Sequence, residues 1–240
     1  MHLKNIQLNE LKTYEIDPSE IHISQEMIAR LIGADPDNIP EPYGEIIDTE
    51  LEQIRNYNDI RGGYRIIDDI ALNKNETSLV AEKRQFLLGR QVFQHVKNAE
   101  MMIFFFFFSG ASVGDRSKQL MDEGLMLEGY VTDVVGSTIV EKAMDQIHQK
   151  IKIEMNDRNL FVTNRYSPGY CEWNVTDQHE LFALFPNDFC GVRLSENAMM
   201  HPVKSISGII GIGENVKFNK YVCESCTSVN CIYRNIRHSV

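Results

Sequence analysis

The sequence has no long hydrophobic run. Its longest, Met101–Phe108, covers eight residues, far short of the roughly 20 that a membrane-crossing helix requires. Met1–Glu10 lacks a cationic segment followed by an apolar core, so it does not read as a secretory signal and the chain is expected to be cytoplasmic. Positive charge is in deficit. Lys and Arg number 24 against 34 Asp and Glu, a formal net charge of -10. Such a balance repels phosphate backbones and anionic lipid, so neither nucleic acid nor membrane is expected as a partner. Cysteine is sparse, at five residues. In a cytoplasmic chain these point to metal binding or thiol reactivity before disulfides. There is no internal repeat, no His-x-x-x-His pair, and no G-x-S-x-G around Ser109 or Ser112. The glycines Gly208, Gly211 and Gly213 stop short of a dinucleotide fingerprint, which also needs a following helix.

What is present suffices for a core. Hydrophobic residues make up 43% and charged residues 24% of the 240, a balance that suits one large domain or two small ones. Residues 1–60 are acidic and broken by Pro18, Pro36, Pro40 and Pro42. Ser24 is placed to cap a helix over Gln25–Ile32 with Gly33 just past its end, and Glu45–Tyr57 fits a second helix. Tyr64–Leu72 is rich in β-branched residues and predicts a strand, with a turn at Asn73–Glu76 and a further strand at Ser78–Ala81. Phe86–Val96 has helical spacing. The five consecutive phenylalanines of Met101–Phe108 must point to both sides of a sheet, which predicts a central strand buried on both faces; exposed at an edge, such a strand would aggregate. Leu125–Ile153 predicts a long amphipathic helix, within which Gly136 suggests a close packing contact. A short helix follows Thr176 and stops at Pro186, and Ser205–Ile212 predicts a strand. The mixture indicates an α+β fold, a largely antiparallel twisted sheet with flanking helices. The expected division is an N-terminal helical arm over 1–80 and a core over 81–240 ending in a cysteine-rich tail.

Two segments carry chemistry. Asn164–Trp173 reads as a loop between the long helix and the short one. Within it Arg165 offers a fork for a carboxylate, Pro168 stiffens the turn, Gly169 permits close approach of backbone to a ligand, and Tyr170 offers a ring and a hydroxyl. On composition the commoner reading of such a loop is a plain turn with a surface arginine. The second segment is Cys223-Glu-Ser-Cys226 followed by Cys231. Three thiolates at this spacing can hold zinc or an iron–sulfur cluster, with Cys171 or Cys190 as fourth ligand. The alternatives are reduced thiols in a tail or a redox-active Cys-x-x-Cys pair.

Arg-x-x-Pro-Gly-Tyr, at Arg165–Tyr170, resembles the S-adenosylmethionine-binding motif of the activation domain of cobalamin-dependent methionine synthase. A second block, Met199-Met-His-Pro-Val-Lys-Ser-Ile-Ser-Gly208, is similar to a stretch of that family at a similar distance downstream, and the helix containing Glu141 fits in order. The resemblance covers about residues 85–220. It implies a module that presents S-adenosylmethionine to an oxidised corrinoid protein so that one-electron reduction is trapped by methyl transfer. Positioning then does most of the work, and no catalytic residue of the protein is expected. Under the resemblance Arg165 holds the methionine carboxylate, Ser167, Pro168 and Gly169 shape the backbone contacts, Tyr170 packs near the ligand, and Glu141 lies at the ligand or toward the corrinoid protein. The corrinoid signature Asp-x-His-x-x-Gly is absent, since Asp177-Gln-His179-Glu-Leu-Phe182 has Phe in the glycine position. The cobalamin is therefore expected on a partner, a corrinoid-binding protein or methionine synthase modules, with flavodoxin or ferredoxin as electron donor. The competing readings are a docking module with a structural metal and no transfer activity, and an iron–sulfur electron carrier to corrinoids.

Overall fold

A computed structural model describes residues 6–57 and 59–219. The chain opens with strand β1 (Leu11–Ile16), helices α1 (Gln25–Leu31) and α2 (Tyr43–Gln53), and strand β2 (Ile60–Ile67). Three short strands follow, β3 (Ile70–Asn73), β4 (Ser78–Ala81) and β5 (Arg84–Leu87), then helix α3 (Gly89–Val96) and strand β6 (Met101–Phe108). Helices α4 (Ser112–Asp122) and α5 (Met126–Asn156) precede strand β7 (Phe161–Tyr166), and α6 (Gln178–Phe182), β8 (Arg193–Leu194), β9 (Met200–His201) and β10 (Ser205–Gly213) complete the described chain.

The main sheet has five strands in the order β1-β2-β6-β10-β7, and every pairing in it is antiparallel. β6 lies at its centre, and all eight of its residues are buried. Alternation along the strand divides them. Met101, Ile103, Phe105 and Phe107 join a core built with α1, α2 and α5, while Met102, Phe104, Phe106 and Phe108 join a second core with Phe86, Val92 and Trp173 on the opposite face. Each buried phenylalanine is worth about 1.5–3 kcal/mol of transfer free energy, so the strand anchors both layers. Its neighbour β2 makes room with glycine. A Cβ on Gly62 would lie 2.3 Å from the Phe106 carbonyl oxygen and 2.5 Å from Phe107 Cγ, and one on Gly63 would lie 2.3 Å from the Lys12 carbonyl oxygen.

The α+β architecture, with antiparallel sheets and flanking helices, is as the sequence predicts. α5 runs 31 residues, and Gly136 sits where its missing Cβ would come 2.9 Å from Val113 Cγ2 of α4. One turn from the start of α5, the Ser117 hydroxyl donates to the Gly129 carbonyl at 2.8 Å, so α4 and α5 touch almost backbone to backbone. Ser24 caps α1, its Oγ accepting from Met27 N–H at 3.3 Å.

Three local expectations change. Tyr64–Leu72 is not one strand but the end of β2 and the start of β3; the chain turns at Asp68–Asp69 and passes into a separate three-stranded sheet, β3-β4-β5. Phe86–Val96 is not one helix, because Phe86 pairs with Leu79 across β4–β5 and the helix starts only at Gly89, whose left-handed φ of 70° turns the chain out of the strand. β1, which the prolines of the acidic N-terminal region obscure in sequence, pairs along its whole length with β2. The main sheet draws β1 and β2 from before residue 81 and β6, β10 and β7 from after it.

Candidate functional site

The segment around Arg165 is not wholly a loop. Phe161–Tyr166 forms β7, the edge strand beside β10, so Arg165 projects from sheet and the loop begins at Ser167. Ile209 pairs with Tyr166 and Ile210 with Arg165, and the register shifts between Ile210 and Ile212. The Gly211 N–H freed by that bulge donates to Thr163 Oγ1 at 2.9 Å, which keeps the irregularity satisfied. Behind the sheet the Tyr166 ring stacks on His95, centroids 5.4 Å apart.

The pairing brings the two motif blocks side by side. Gly208, the last residue of the second block, lies so close to the end of β7 that a Cβ there would stand 2.3 Å from the Tyr166 carbonyl oxygen and 3.1 Å from Ser167 Oγ. The same block is fixed to both layers. Lys204 is buried, its Nζ 2.6 Å from Asp133 Oδ1 and 3.0 Å from Ser137 Oγ of α5. Ser207 donates to the buried Gln178 side chain at 2.8 Å, and Gln178 in turn donates to the Ala198 carbonyl at 2.9 Å.

Arg165 reaches toward α5. Its Nη1 donates to Asp145 Oδ1 at 2.8 Å and its Nη2 to Glu141 Oε2. Glu141 and Asp145 are one helical turn apart and therefore share a face. Their side chains are 49% and 57% exposed against 19% for the arginine, so the guanidinium is a half-sunk cation under an open acidic rim. Two of its five N–H donors are engaged; the rest can meet a carboxylate. His148, the next turn along α5, is buried, with Nε2 3.0 Å from the Thr163 carbonyl oxygen. Burial first, then the nearby Arg165 cation, push its pKa down to about 4, so at neutral pH it is an uncharged neighbour.

The loop after β7 is closed by its own backbone. Gly169, φ 95°, donates to the Trp173 carbonyl at 2.8 Å, Tyr170 N–H to Ser167 at 3.2 Å, and Trp173 N–H to Tyr170 at 3.0 Å. Pro168 is buried and Ser167 half-buried, whereas Tyr170 is 64% exposed. Arg165 and Glu141 are thus brought into contact, and Ser167, Pro168, Gly169 and Tyr170 form one short closed loop at the end of the same strand. Asp145 was not among the residues singled out from sequence; its i, i+4 spacing from Glu141 was the available signal.

Cys171 is half-buried in this loop with φ 51°. Cys223, Cys226 and Cys231 lie outside the described residues. Among the described residues no group of three or more His, Cys, Asp or Glu side chains is arranged to hold a metal ion, and no helix is long and apolar enough to cross a membrane.

Residues 133–231 match a known family. That family is the activation domain of vitamin B12 dependent methionine synthase. The match spans Glu141, the Arg165–Tyr170 motif, the second block and the cysteine-rich tail. No curated protein matches the chain in sequence. Among solved structures, the MetH reactivation domain bound to AdoHcy superposes with a TM-score of 0.63 at 11% identity, over 89% of this chain and 81% of that one. At such identity the likeness establishes the fold alone, and its coverage reaches N-terminal to the family match.

Proposed function

We propose that this protein binds S-adenosylmethionine at the β7–β10 edge and serves the reductive reactivation of a corrinoid methyltransferase protein supplied in trans. The observation that carries this reading is the adjacency of the two motif blocks, Ser167 beside Gly208 with Arg165 two residues back along β7, in a region that matches the activation-domain family. The solved relative with the same fold holds AdoHcy, which is what S-adenosylmethionine becomes once its methyl group is given up.

Arg165 takes the ligand carboxylate through its remaining N–H donors, a charge-assisted contact in a partly shielded setting. Glu141 and Asp145 hold the guanidinium in place and give the site an acidic rim that suits the ammonium and sulfonium charges of the ligand. The Ser167–Tyr170 loop lets backbone approach the ligand at Gly169, and the exposed Tyr170 ring covers it. Bound there, S-adenosylmethionine would supply the methyl group to partner cobalt reduced by one electron from a donor such as flavodoxin or ferredoxin, leaving S-adenosylhomocysteine at the site. The part of the chain's own residues is to bind and orient the ligand. Calorimetric titration with S-adenosylmethionine tests the reading. Binding by the wild type that is lost in Arg165→Ala supports it, and absence of binding by the wild type overturns it.

A further inference from the structure

Next to the Ser167–Tyr170 loop lies a buried contact centred on Trp173. Trp173, at the end of the loop, is 2% exposed and meets Phe86 edge-on, centroids 6.4 Å apart. Its indole N–H donates to Asp177 Oδ2 at 2.8 Å. The same oxygen accepts the Leu87 backbone N–H at 2.9 Å, at the end of β5. One carboxylate oxygen therefore ties the loop to the small sheet. The neighbouring Gly89 completes the brace, since a Cβ there would sit 3.1 Å from the Cys171 carbonyl oxygen and the Glu172 backbone. From Trp173 the restraint runs forward to the loop, because its carbonyl accepts the Gly169 N–H and its own N–H bonds to Tyr170.

We infer that Asp177 is a positioning residue for ligand binding: through Trp173 it sets the shape of the Ser167–Tyr170 loop without touching the ligand. The inference rests on the binding site proposed above. A loop fixed before binding does not have to be ordered by the ligand, so the link acts on affinity by preorganisation. Asp177 begins the Asp-x-His sequence that otherwise falls short of a corrinoid signature, and this contact gives it a separate use.

The test compares wild type, Asp177→Ala, Asp177→Asn and Trp173→Phe by calorimetry with S-adenosylmethionine. Asp177→Ala should weaken binding roughly tenfold, as for loss of loop preorganisation, at unchanged stoichiometry. Asp177→Asn, which keeps an acceptor of the same shape, should recover most of the affinity. Trp173→Phe, which keeps a buried ring and removes the donor, should resemble Asp177→Ala. A merely structural role would lower the fraction of binding-competent protein and leave Kd alone; that result, or unchanged binding in Asp177→Ala, overturns the inference while leaving the site intact. Failure of the wild type to bind overturns both.

Discussion

Replacing Arg165 by alanine should separate stability from binding. In the folded protein the guanidinium pairs with two carboxylates that are about half exposed. Solvent screens such pairs to about 0.2–1 kcal/mol each, so their loss together costs on the order of 1 kcal/mol. For a chain of this size that lowers Tm by roughly 2–4 °C. The ligand contact is different, because a carboxylate held by a partly shielded arginine contributes about 1–3 kcal/mol, a 5- to 150-fold change in Kd. Calorimetry and thermal unfolding on the same preparation read both quantities. The variant should also relieve His148 of a neighbouring cation, so its pKa should rise from about 4 while burial still holds it below the ordinary histidine value; ring-proton NMR follows this. The reasoning is refuted if Arg165→Ala unfolds the protein or loses tens of degrees in Tm, which would make the ion pairs structural, or if affinity stays unchanged in a folded variant.

Other expectations follow from the core and from titration. Gly62→Val should cost several kcal/mol or abolish soluble folding, since even a Cβ there meets the β6 backbone at 2.3 Å and overpacking alone costs about 1–3 kcal/mol; denaturant unfolding checks it. His148 has a folded pKa below that of the unfolded chain, so the unfolded state binds the extra proton as pH falls. The stabilisation associated with it is complete above about pH 6.5 and is lost toward about pH 4. The difference in urea midpoint between wild type and His148→Phe should change across that window and nowhere else, and a constant difference would exclude a titrating His148. If Cys223, Cys226 and Cys231 form a metal clip, protein purified without oxygen should carry about one equivalent of zinc, or iron with sulfide, that Cys223→Ser loses; metal-free protein removes the clip.

The features legible in sequence are those whose cause is local. The β6 run reads as a doubly buried strand because five phenylalanines in succession have no amphipathic alternative, and α5 reads from its three-and-four spacing. β7 escaped because Asn164 and Arg165 look like loop residues. On the strand they meet distant partners: Asn219 in a reciprocal pair with Asn164 at 2.8 Å, and the α5 carboxylates on Arg165. Phe86 misled for the converse reason, as its spacing with Leu87 and Val92 mimics a helix although a left-handed glycine divides them. The Asp177–Trp173 link depended on the closure of the loop, which spacing alone does not reveal.

The position of β6 also dictates when the molecule can fold. Phe105 pairs with Tyr64, 41 residues before it, and with Gly208, 103 residues after it. At roughly 5–20 residues per second of synthesis, a nascent chain waits about 5–20 seconds between making the phenylalanine run and making its second partner. Through that interval the phenylalanine run has an open edge, and for about the first half of it, until α5 is complete at Asn156, it also lacks the α5 layer. High contact order at this strand makes the cell's handling of the growing chain, rather than the stability of the finished sheet, the step most exposed to failure.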